Sequence, residues 1–585
     1  MQPVVTRRMV SRRLSSSLQH LLFRNAGLHS IVRHSWRCFP RASVSAFQTL
    51  HAYYRPLPAY NTSTVQTDTI YALSSAQGKA GIAVVRISGS LCTQIYRELC
   101  PDKEAPKPRY ATVRSLFMPG SRGSEVLDSS ALVLYFPGPR TVTGDDVLEL
   151  HVHGGNATVK AVLSAIPKCR TEGRIRYAEP GEFTRRAFMN DRLDLAQVES
   201  LSEMLAAETE QQRRAAVRGS SGALGRTYEE WRHSLLQARA EMEALIDFQE
   251  DQHFDESPAS LVRNVSSHVE DILKGIEVHE MASQRTELLR NGIQVALLGP
   301  PNAGKSSFMN QIVGREASIV SGESGTTRDI IEANLDIRGY LCTFADTAGF
   351  RTATATGTVG ATQPATKIGA VEEEGIRRAR ARAAQSDVII VLASVEECPA
   401  GGYEVRYDPE TLKLGSTCRQ RLVLVNKVDA VPKADLHAIV RKFQDVLRTI
   451  PGLESTAPML ISCKEAQNPD SSQQDPGGLR VVAEELVSTF RNMTSLPASL
   501  QDLHGVTERQ RQLLVQCRNR LEEYIEATES VVKSDEGAPQ DVDLTIAAEH
   551  LRYAASCLGR ITGRGEAGDV EEILGVIFEQ FCVGK

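Results

Sequence analysis

The chain has 585 residues, and its 67 Lys and Arg are nearly balanced by 72 Asp and Glu. The length predicts three or four domains, and the net charge of −5 excludes a global positive field that would draw the chain onto nucleic acid. The sequence has no run of 18 apolar residues and no C-x-x-C pair among its 11 Cys, so we expect no membrane-spanning helix, disulfide scaffold or structural zinc.

Residues 1–65 differ in composition from the rest of the chain. The first 67 residues contain nine Arg, no Lys and no acidic residue. Such Arg-rich, Ser-rich and acid-free segments are typical of mitochondrial transit peptides, and we interpret residues 1–65 as one. A disordered basic arm that binds RNA is the alternative. Folded structure is therefore expected to begin near residue 66.

Two kinds of residue pattern follow along the chain. Residues 66–188 mix strand-like runs with turns and predict an α+β domain. Residues 189–290 contain one proline and repeat apolar residues at helical spacing. Residues 496–585 show the same helical pattern. The predicted fold is therefore multidomain, with a helical domain interrupted by a doubly wound α/β domain at residues 291–495. Two stretches within that domain, 352–366 and 396–417, are predicted to be flexible surface loops because turn formers and small residues dominate them.

A phosphate-loop motif opens the predicted α/β domain. Residues 299–306 read Gly-Pro-Pro-Asn-Ala-Gly-Lys-Ser and follow a short apolar run at 293–298. In the G-x-x-x-x-G-K-[ST] pattern, backbone N–H groups at a helix N-terminus surround phosphates. Lys305 is expected at the β- and γ-phosphates, and the Ser306 hydroxyl at Mg²⁺. The other loop residues assigned to the nucleotide are Asn302, Ala303, Gly304 and Ser307.

A base-recognition motif, Asn426-Lys427-Val428-Asp429, follows about 120 residues later. The Asp429 carboxylate can accept hydrogen bonds from the ring N–H and the exocyclic amine of guanine. A polar site built around such donors rejects bases that lack them. The last guanine loop is assigned to Ser462, Cys463 and Lys464, with Cys where Ala is usual. Together with the phosphate loop, these motifs predict GTP binding.

The segments between these motifs predict the remaining parts of a GTPase. A switch segment that closes on the metal and γ-phosphate is expected at Gly325, Thr326 and Thr327, with Thr327 as a second Mg²⁺ ligand. A motif at the carboxyl end of a strand, expected beside the Mg²⁺ shell and the γ-phosphate, comprises Asp346, Thr347, Ala348 and Gly349.

The residue after this motif is Phe350, where Ras-like enzymes carry a water-orienting Gln. Phe cannot orient water by a hydrogen bond. Either hydrolysis is slow and the chain is a passive switch, or the missing function comes from elsewhere. The Asn302 side chain could hold a monovalent cation beside the phosphates, or it could only stabilise the loop.

Motifs outside the GTP-binding segments carry a resemblance to a known family. They are Arg86-Ile-Ser-Gly89, Phe136-Pro-Gly-Pro139, Thr143 to Glu149, Pro180 to Thr184, Asn190 to Ala196 and the C-terminal Phe581-Cys-Val-Gly-Lys585. Over about residues 66 to 585, the chain resembles the MnmE/TrmE family of tRNA-modification GTPases in its mitochondrial form. The family tail reads Cys-Ile-Gly-Lys, so Val583 is a mild departure.

The resemblance implies a homodimer formed through the N-terminal domain, which binds 5,10-methylene- or 5-formyl-tetrahydrofolate. It also implies an FAD-dependent partner of the MnmG/GidA type. Together the two proteins would add an aminomethyl-type group to carbon 5 of the wobble uridine (position 34) of mitochondrial tRNA in the matrix. Folate contacts are implied for Arg86, Glu149, Arg192 and Lys585, although each could equally be a structural ion-pair residue. Cys582 is a candidate for the modification chemistry, and a small buried apolar residue is the alternative.

The resemblance also implies K⁺-activated hydrolysis, with dimerisation of the GTPase domains replacing the missing Gln. Asn302 would be the side-chain ligand of K⁺, and the segment 321–326 would supply backbone carbonyls. The K⁺ site residues assigned in that segment are Ser321, Glu323 and Thr326.

The glutamate that positions the attacking water is implied at Glu372. Because the segment between 349 and 372 is longer than in bacterial relatives, Glu373 or Glu374 could take this role. Two other functions stay open: a ribosome-assembly GTPase with an RNA-binding N-terminal region, and a passive GTP-binding switch.

Overall fold

The structure is a computed structural model of the chain. It describes residues 68–121, 123–247, 258–319, 332–346, 381, 383–398, 401–467, 475, 477–533, 543–564 and 584. The chain divides into residues 1–67 and a second unit from Asp68 to Lys585, and the description concerns the second unit. The predicted transit peptide and the predicted loop at 352–366 lie outside the described residues.

The first domain is a six-stranded sheet with two helices packed on one face and a third packed against part of the other. The strand order is β3-β4-β5-β2-β1-β6, and all neighbours are antiparallel except β1 and β6. The strands are β1 (Thr69–Leu73), β2 (Ile82–Ser88), β3 (Thr112–Phe117), β4 (Val126–Phe136), β5 (Val147–His153) and β6 (Ile175–Tyr177). The helices are α1 (Cys92–Leu99), α2 (Asn156–Ala165) and α3 (Glu182–Met189).

The two faces of this sheet have different compositions because side chains alternate along each strand. One face buries apolar residues such as Val85 and Leu150 against α1 and α2. The opposite face, which we call the open face, carries Arg86 and Glu149. It also carries Ile82, whose surface is 64% exposed. One side of the sheet is therefore covered, and the open face, apart from the section of β1 that α3 covers, offers polar and apolar groups to other molecules.

Four helices follow the first domain. They are α4 (Leu195–Ala206), α5 (Glu210–Gly219), α6 (Ala223–Asp247) and α7 (Pro258–Asn291). Helix α4 begins at a capping box, in which the Asp194 carboxylate accepts the Gln197 N–H and the Gln197 side chain accepts the Asp194 N–H. Thr209 and Gln212 cap α5 in the same way. These caps satisfy backbone donors that the first turn of a helix leaves unpaired.

The next domain is built around an eight-stranded sheet. Its order is β14-β13-β11-β7-β10-β9-β8, with β12 beside β11. The strands are β7 (Ile293–Leu298), β8 (Ala317–Ile319), β9 (Glu332–Ile337), β10 (Tyr340–Asp346), β11 (Val388–Glu397), β12 (Tyr403–Arg406), β13 (Gln420–Asn426) and β14 (Met459–Leu460). The helices are α8 (Lys305–Arg315), α9 (Pro409–Thr417), α10 (Lys433–Arg448) and α11 (Leu479–Thr494). Separate hydrophobic clusters cover the two faces, and β10, β7, β11, β13 and β14 are parallel, which agrees with the predicted α/β domain.

The prediction of a flexible loop over residues 396–417 is wrong. Strand β11 continues to Glu397, β12 pairs with it antiparallel, and α9 follows. The Asp408 carboxylate caps α9 by accepting the N–H groups of Glu410 and Thr411. Gly401 and Gly402 have φ angles of 86° and 91°. The glycines therefore lie in the described part of the turn that joins two paired strands, and composition alone did not distinguish these strands from a loop.

Helices on both sides of the α/β domain in sequence share one core. A 3₁₀ segment, Ala498–Gly505, leads into α12 (Glu508–Lys533) and α13 (Leu544–Thr562). These two helices pack with α6 and α7 in a hydrophobic cluster that includes Tyr228, Val265, Tyr524 and Leu551. Within the described part of the chain, no helix is both long and apolar enough to cross a bilayer.

Helix α5 touches both the α/β domain and the 3₁₀ segment. The N–H of Gln211 donates to the carbonyl of Gly339, in the turn between β9 and β10, at 3.1 Å. At the other end of the helix, a Cβ added at Gly505 would collide with the Cα of Gly219. The backbones of Gly219 and Gly505 are therefore in direct contact. Helix α5 thus contacts the β9–β10 turn at one end and the segment that precedes α12 at the other.

Candidate functional site

The carboxyl ends of four parallel strands meet at one edge of the second sheet. Register pairs Asp346 at the end of β10 with Leu297 of β7, and Ser394 of β11 with Asn426 at the end of β13. Loops that follow parallel strands gather at this edge, which is the usual place for ligands in open α/β sheets. The predicted phosphate loop and base motif therefore lie at the same edge.

Two glycines let the phosphate loop approach its neighbours closely. Gly299 and Gly304 have φ angles of 152° and 95°. A Cβ at Gly299 would collide with the carbonyl oxygen of Leu392, and a Cβ at Gly304 would collide with the side-chain amide of Asn426. Glycine is required at both positions because the space and the backbone conformation exclude a side chain.

Lys305 begins helix α8 and bends back over the loop. Its Nζ donates to the carbonyl oxygens of Gly299 and Pro300 at 2.8 and 3.0 Å. The ammonium is therefore held above the loop that would surround a phosphate. Ser306 and Ser307 follow in the first turn of α8, where the helix N-terminus favours an anion. The loop combines a fixed cation with a helix N-terminus, a combination that suits phosphate.

The buried side chain of Asn426 connects three loops. Its Nδ2 donates to the carbonyl of Ala303 in the phosphate loop at 2.9 Å. Its Oδ1 accepts the N–H of Cys463 in the last predicted guanine loop at 3.2 Å. Asn426 is only 2% exposed, so both hydrogen bonds are shielded from water. One amide thus sets the spacing between the phosphate loop and the base loops.

Ser462 orients the carboxylate of Asp429. Its Oγ donates to Oδ1 of Asp429 at 2.6 Å and accepts the N–H of Glu465 at 3.0 Å. The Nζ of Lys464 lies 4.0 Å from the other carboxylate oxygen. The acceptor that the sequence assigned to guanine is therefore already held in place by the last guanine loop.

Cys463 lies beside this carboxylate and is 5% exposed. Burial is the main reason that the pKa of its thiol rises to about 11, so the thiol is neutral at pH 7. A small neutral side chain fits where Ala is usual in this loop. The unusual residue therefore leaves the loop geometry compatible with the predicted base site.

Glu396 is a residue at this edge that the sequence interpretation missed. Its Oε1 accepts Nζ of Lys427, the second residue of the base motif, at 3.2 Å. Its Oε2 accepts Nη1 of Arg406 on β12 at 2.9 Å. The hydrogen bond from Arg406, followed by the one from Lys427, holds the pKa of Glu396 below its usual value. An acidic residue at the end of an apolar strand run was the available sequence signal.

Several predicted site residues lie outside the described part of the chain. They are Ser321, Glu323, Gly325, Thr326, Thr327, Thr347, Ala348, Gly349, Glu372, Cys582 and Lys585.

A second polar cluster lies on the open face of the first sheet. Arg86 and Glu149 are directly opposite on β2 and β5, and Nε and Nη2 of Arg86 lie 3.0 and 2.9 Å from Oε1 of Glu149. Nε2 of His151 lies 3.2 Å from the other Glu149 oxygen. The Arg86 and Glu149 side chains are 21% and 15% exposed. They form an ion pair that solvent and ligands can still reach.

Arg192 belongs to the same domain through the loop between β4 and β5. Its Nε donates to the carbonyl of Thr141 at 3.1 Å, and Nδ2 of Asn190 donates to the carbonyl of Thr143 at 2.7 Å. The Thr143 hydroxyl shares a 2.7 Å hydrogen bond with the Ser88 hydroxyl on β2. This network fixes the start of the helical region against the strand that carries the ion pair.

Gly584, the described residue of the C-terminal motif, also contacts the first sheet. The Ser74 hydroxyl donates to the carbonyl of Gly584 at 2.7 Å, although 510 positions separate the two residues. Gly584 has a φ of 100°, and a Cβ there would collide with the carbonyl of Leu73. Leu73 ends β1, in which the preceding Ala72 lies opposite Arg86. Gly584 is thus placed at the end of the strand that pairs with the one carrying Arg86.

Comparisons with known proteins match two parts of the chain. A family model for the N-terminus of the GTP-binding protein TrmE matches residues 69–192, and a model for the MnmE helical domain matches residues 195–582. The zebrafish (Danio rerio) protein named mitochondrial 5-taurinomethyluridine tRNA synthase subunit GTPB3 is 38% identical over 528 residues, covering 88% of this chain and 93% of the relative. The tRNA modification GTPase MnmE of Parvibaculum lavamentivorans is 38% identical over 519 residues, covering 88% of this chain and 100% of the relative. The Homo sapiens GTPB3 protein is 36% identical over 523 residues, covering 88% and 93%.

Proposed function

Because the chain belongs to the MnmE/TrmE family of tRNA-modification GTPases, we propose that it is the K⁺-activated GTPase of a mitochondrial machinery that modifies carbon 5 of the tRNA wobble uridine. The observation that carries the proposal is the junction at Asn426. There a single buried amide bonds both the phosphate loop and the last base loop. Because this junction joins the phosphate loop to the guanine loop, one ligand can contact both loops.

In the proposed reaction, GTP binds along the carboxyl edge of the second sheet. Lys305 exchanges its two carbonyl acceptors for phosphate oxygens, which are stronger acceptors because they are charged. Asp429, already oriented by Ser462, accepts the guanine ring N–H and amine. Mg²⁺ held by Ser306 and Thr327 would neutralise the charge that develops on the phosphates.

Asn302 is proposed to supply part of what the missing Gln provides in Ras-like enzymes. It has a φ of 62°, a conformation that Asn adopts more readily than other residues with a side chain. K⁺ held beside it would place positive charge near the phosphates. The other residues of this hydrolysis proposal, which rest on the family pattern, are Ser321, Glu323, Thr326 and Glu372.

GTP turnover in KCl and in NaCl at equal ionic strength tests this proposal. We expect turnover to be about tenfold or more faster in K⁺. Asn302→Gly, which tolerates the left-handed backbone, should remove the K⁺ stimulation while GTP still binds. Equal turnover in the two salts would overturn K⁺ activation and favour a passive switch.

A folate site is proposed on the open face of the first sheet. The guanidinium groups of Arg86 and Arg192 suit the glutamate carboxylates of a tetrahydrofolate, and Glu149 suits pterin N–H donors. The hydrogen bond between Ser74 and Gly584 supports this assignment, because Gly584 precedes the proposed folate contact Lys585 in sequence. Bound 5,10-methylene- or 5-formyl-tetrahydrofolate would supply the one-carbon unit.

A homodimer through the N-terminal domain is also proposed. Val113 lies opposite Leu132, and Leu132 lies opposite His151, so all three share the open face with Ile82. Ile82 and Val113 are 64% and 61% exposed. A second copy of the domain would remove this apolar surface from water. Sedimentation of Ile82→Asp/Val113→Asp should show a monomer, and an unchanged dimer would overturn this interface.

The domain arrangement and cellular site complete the proposal. The core shared by α6, α7, α12 and α13 supports an α/β domain inserted into a helical domain. The acid-free segment 1–65 and the mitochondrial names of two relatives support the matrix as the location. The proposed flavoprotein partner of the MnmG/GidA type rests on the family resemblance.

Mass spectrometry of mitochondrial tRNA from cells lacking the chain tests the whole function. We expect loss of the wobble-uridine modification, which full-length chain restores and a chain beginning at residue 66 does not. Unaltered wobble uridine together with abnormal ribosomal subunits would overturn the proposal in favour of ribosome assembly. The mass of the modification also distinguishes a group derived from glycine from one derived from taurine.

A further inference from the structure

Glu396 lies where β11 leaves the core of the α/β domain and enters the hairpin with β12. Ser394, two residues earlier, is still paired in parallel with Asn426 of β13, whereas Glu396 is paired in antiparallel with Glu404 of β12. The Glu396 side chain is 25% exposed. It therefore stands between the base loop on one side and the hairpin on the other.

Three side chains donate to this carboxylate. Oε1 accepts the Ser394 hydroxyl and Nζ of Lys427, both at 3.2 Å, and Oε2 accepts Nη1 of Arg406 at 2.9 Å. A carboxylate held by donors from β11, β12 and the base loop is fixed in direction and keeps its charge. Its contact with Lys427 is therefore not that of a freely rotating surface pair.

Lys427 is part of the guanine motif and 37% of its side chain is exposed. Its backbone has a φ of 64°, and its neighbour Asn426 is anchored to the phosphate loop. A lysine ammonium carries three N–H donors, of which the contact with Glu396 uses one. Two donors remain for a nucleotide and its loop, so the ion pair and nucleotide binding are compatible.

We propose that Glu396 is a positioning residue that holds the Lys427 ammonium beside bound guanine nucleotide and thereby slows nucleotide release. The inference rests on the proposed function, because it deepens the description of the same GTP site. A long lysine side chain loses rotamer freedom when it binds a ligand, and fixing it beforehand removes that cost from binding. Arg406 lies on β12, so the ordered hairpin contributes to nucleotide retention through Glu396.

The rate of GDP release from the full-length chain tests this role, measured with a fluorescent GDP analogue chased by excess GTP. Glu396→Ala should release GDP about tenfold faster and raise the KM for GTP by a similar factor, with little change in kcat. Glu396→Gln keeps an acceptor but loses the charge, so its effect should be smaller. The matched control is Glu397→Gln, which removes the same charge from the adjacent residue on the opposite side of the strand.

A double-mutant cycle separates positioning from general loosening of the hairpin. In a Lys427→Met background, Glu396→Ala should change GDP release by less than about twofold, because the group it positions is absent. An equal effect in both backgrounds would overturn the proposal, as would unchanged or slower release from Glu396→Ala alone. Slower release would show that Glu396 competes with the nucleotide for Lys427. Failure of the unmodified chain to bind GDP would instead overturn the proposed GTP site.

Discussion

The edge of the second sheet and the open face of the first sheet both gather polar side chains, but they assemble them in different ways. At the edge, the groups come from loops that follow parallel strands, and Asn426 bonds backbone groups of two of those loops. On the open face, Arg86 and Glu149 lie within strands and meet because the strands pair. Short sequence motifs therefore identify the site at the edge of the second sheet, whereas the site on the open face depends on strand register.

The strongest test of the site at the edge of the second sheet, which we call the loop site, changes the predicted guanine acceptor. Asp429→Asn should lower GTP affinity by about a hundredfold or more and improve binding of xanthosine triphosphate, because the amide can donate to the xanthine carbonyl. Isothermal titration with both nucleotides measures the change. The control is Asp435→Asn in the exposed first turn of α10. Unchanged GTP affinity in Asp429→Asn would remove this residue from the base site.

A second substitution tests whether the loop site depends on backbone approach. Gly304→Ala places a methyl group against the Asn426 amide and strains a φ of 95°. We expect GTP affinity to fall by about tenfold to fiftyfold, since the phosphate loop must move away from the base loops. Gly314→Ala, at an α8 position with open space around its Cα, is the control. Normal affinity in Gly304→Ala would show that the junction tolerates displacement.

For the open face, the test must separate tRNA modification from GTP hydrolysis. Arg86→Ala should reduce wobble-uridine modification by about fivefold to tenfold while K⁺-stimulated GTP turnover stays within twofold of the unmodified chain. The reason is that the ion pair lies on the first sheet, whereas the phosphate and base loops lie at the edge of the second sheet. Arg174→Ala, whose side chain is 75% exposed, is the control. Parallel loss of both activities would contradict a separate site.

The smallest effect is expected at Asp128, whose buried carboxylate accepts the His153 N–H at 2.8 Å and pairs with its ring. Burial alone would raise the pKa of Asp128, but the N–H groups of Ser130 and His153, together with the His153 ring, hold it below its ordinary value. The folded state therefore gains stability above pH ~4, and this gain is lost as the pH falls further.

Asp128→Asn should accordingly lower the local opening free energy of the first sheet by about 1 to 2 kcal/mol at pH 7. Hydrogen exchange of the β4 and β5 amides measures this change. The difference between the two proteins should shrink below pH ~4, where the carboxylate takes up a proton in the opened state before it does so in the native state. Asp102→Asn, at an exposed position, is the control. A difference that grows in acid would contradict the assigned direction of the pKa shift.

The site at the edge of the second sheet could be predicted from the sequence more fully than the site on the open face. The phosphate loop and base motif were visible because each occupies a few consecutive residues. Arg86 and Glu149 are 63 positions apart, and only a family resemblance grouped them before the strand pairing was known. Glu396 was missed because its role depends on the pairing of β11 with β12, and the same hairpin was mistaken for a flexible loop.

Helix α5 has a mechanical consequence for the α/β domain. That domain is joined covalently to the rest of the chain before β7 and after α11, and the Arg285 side chain bonds the Ser495 carbonyl across these two crossings. A body attached at two points can still rotate about the line through them. The hydrogen bond from Gln211 to Gly339 adds a third attachment, at the turn where β10 begins. Strand β10 runs from this turn to Asp346, so the third attachment and the carboxyl edge of the sheet lie at opposite ends of one strand.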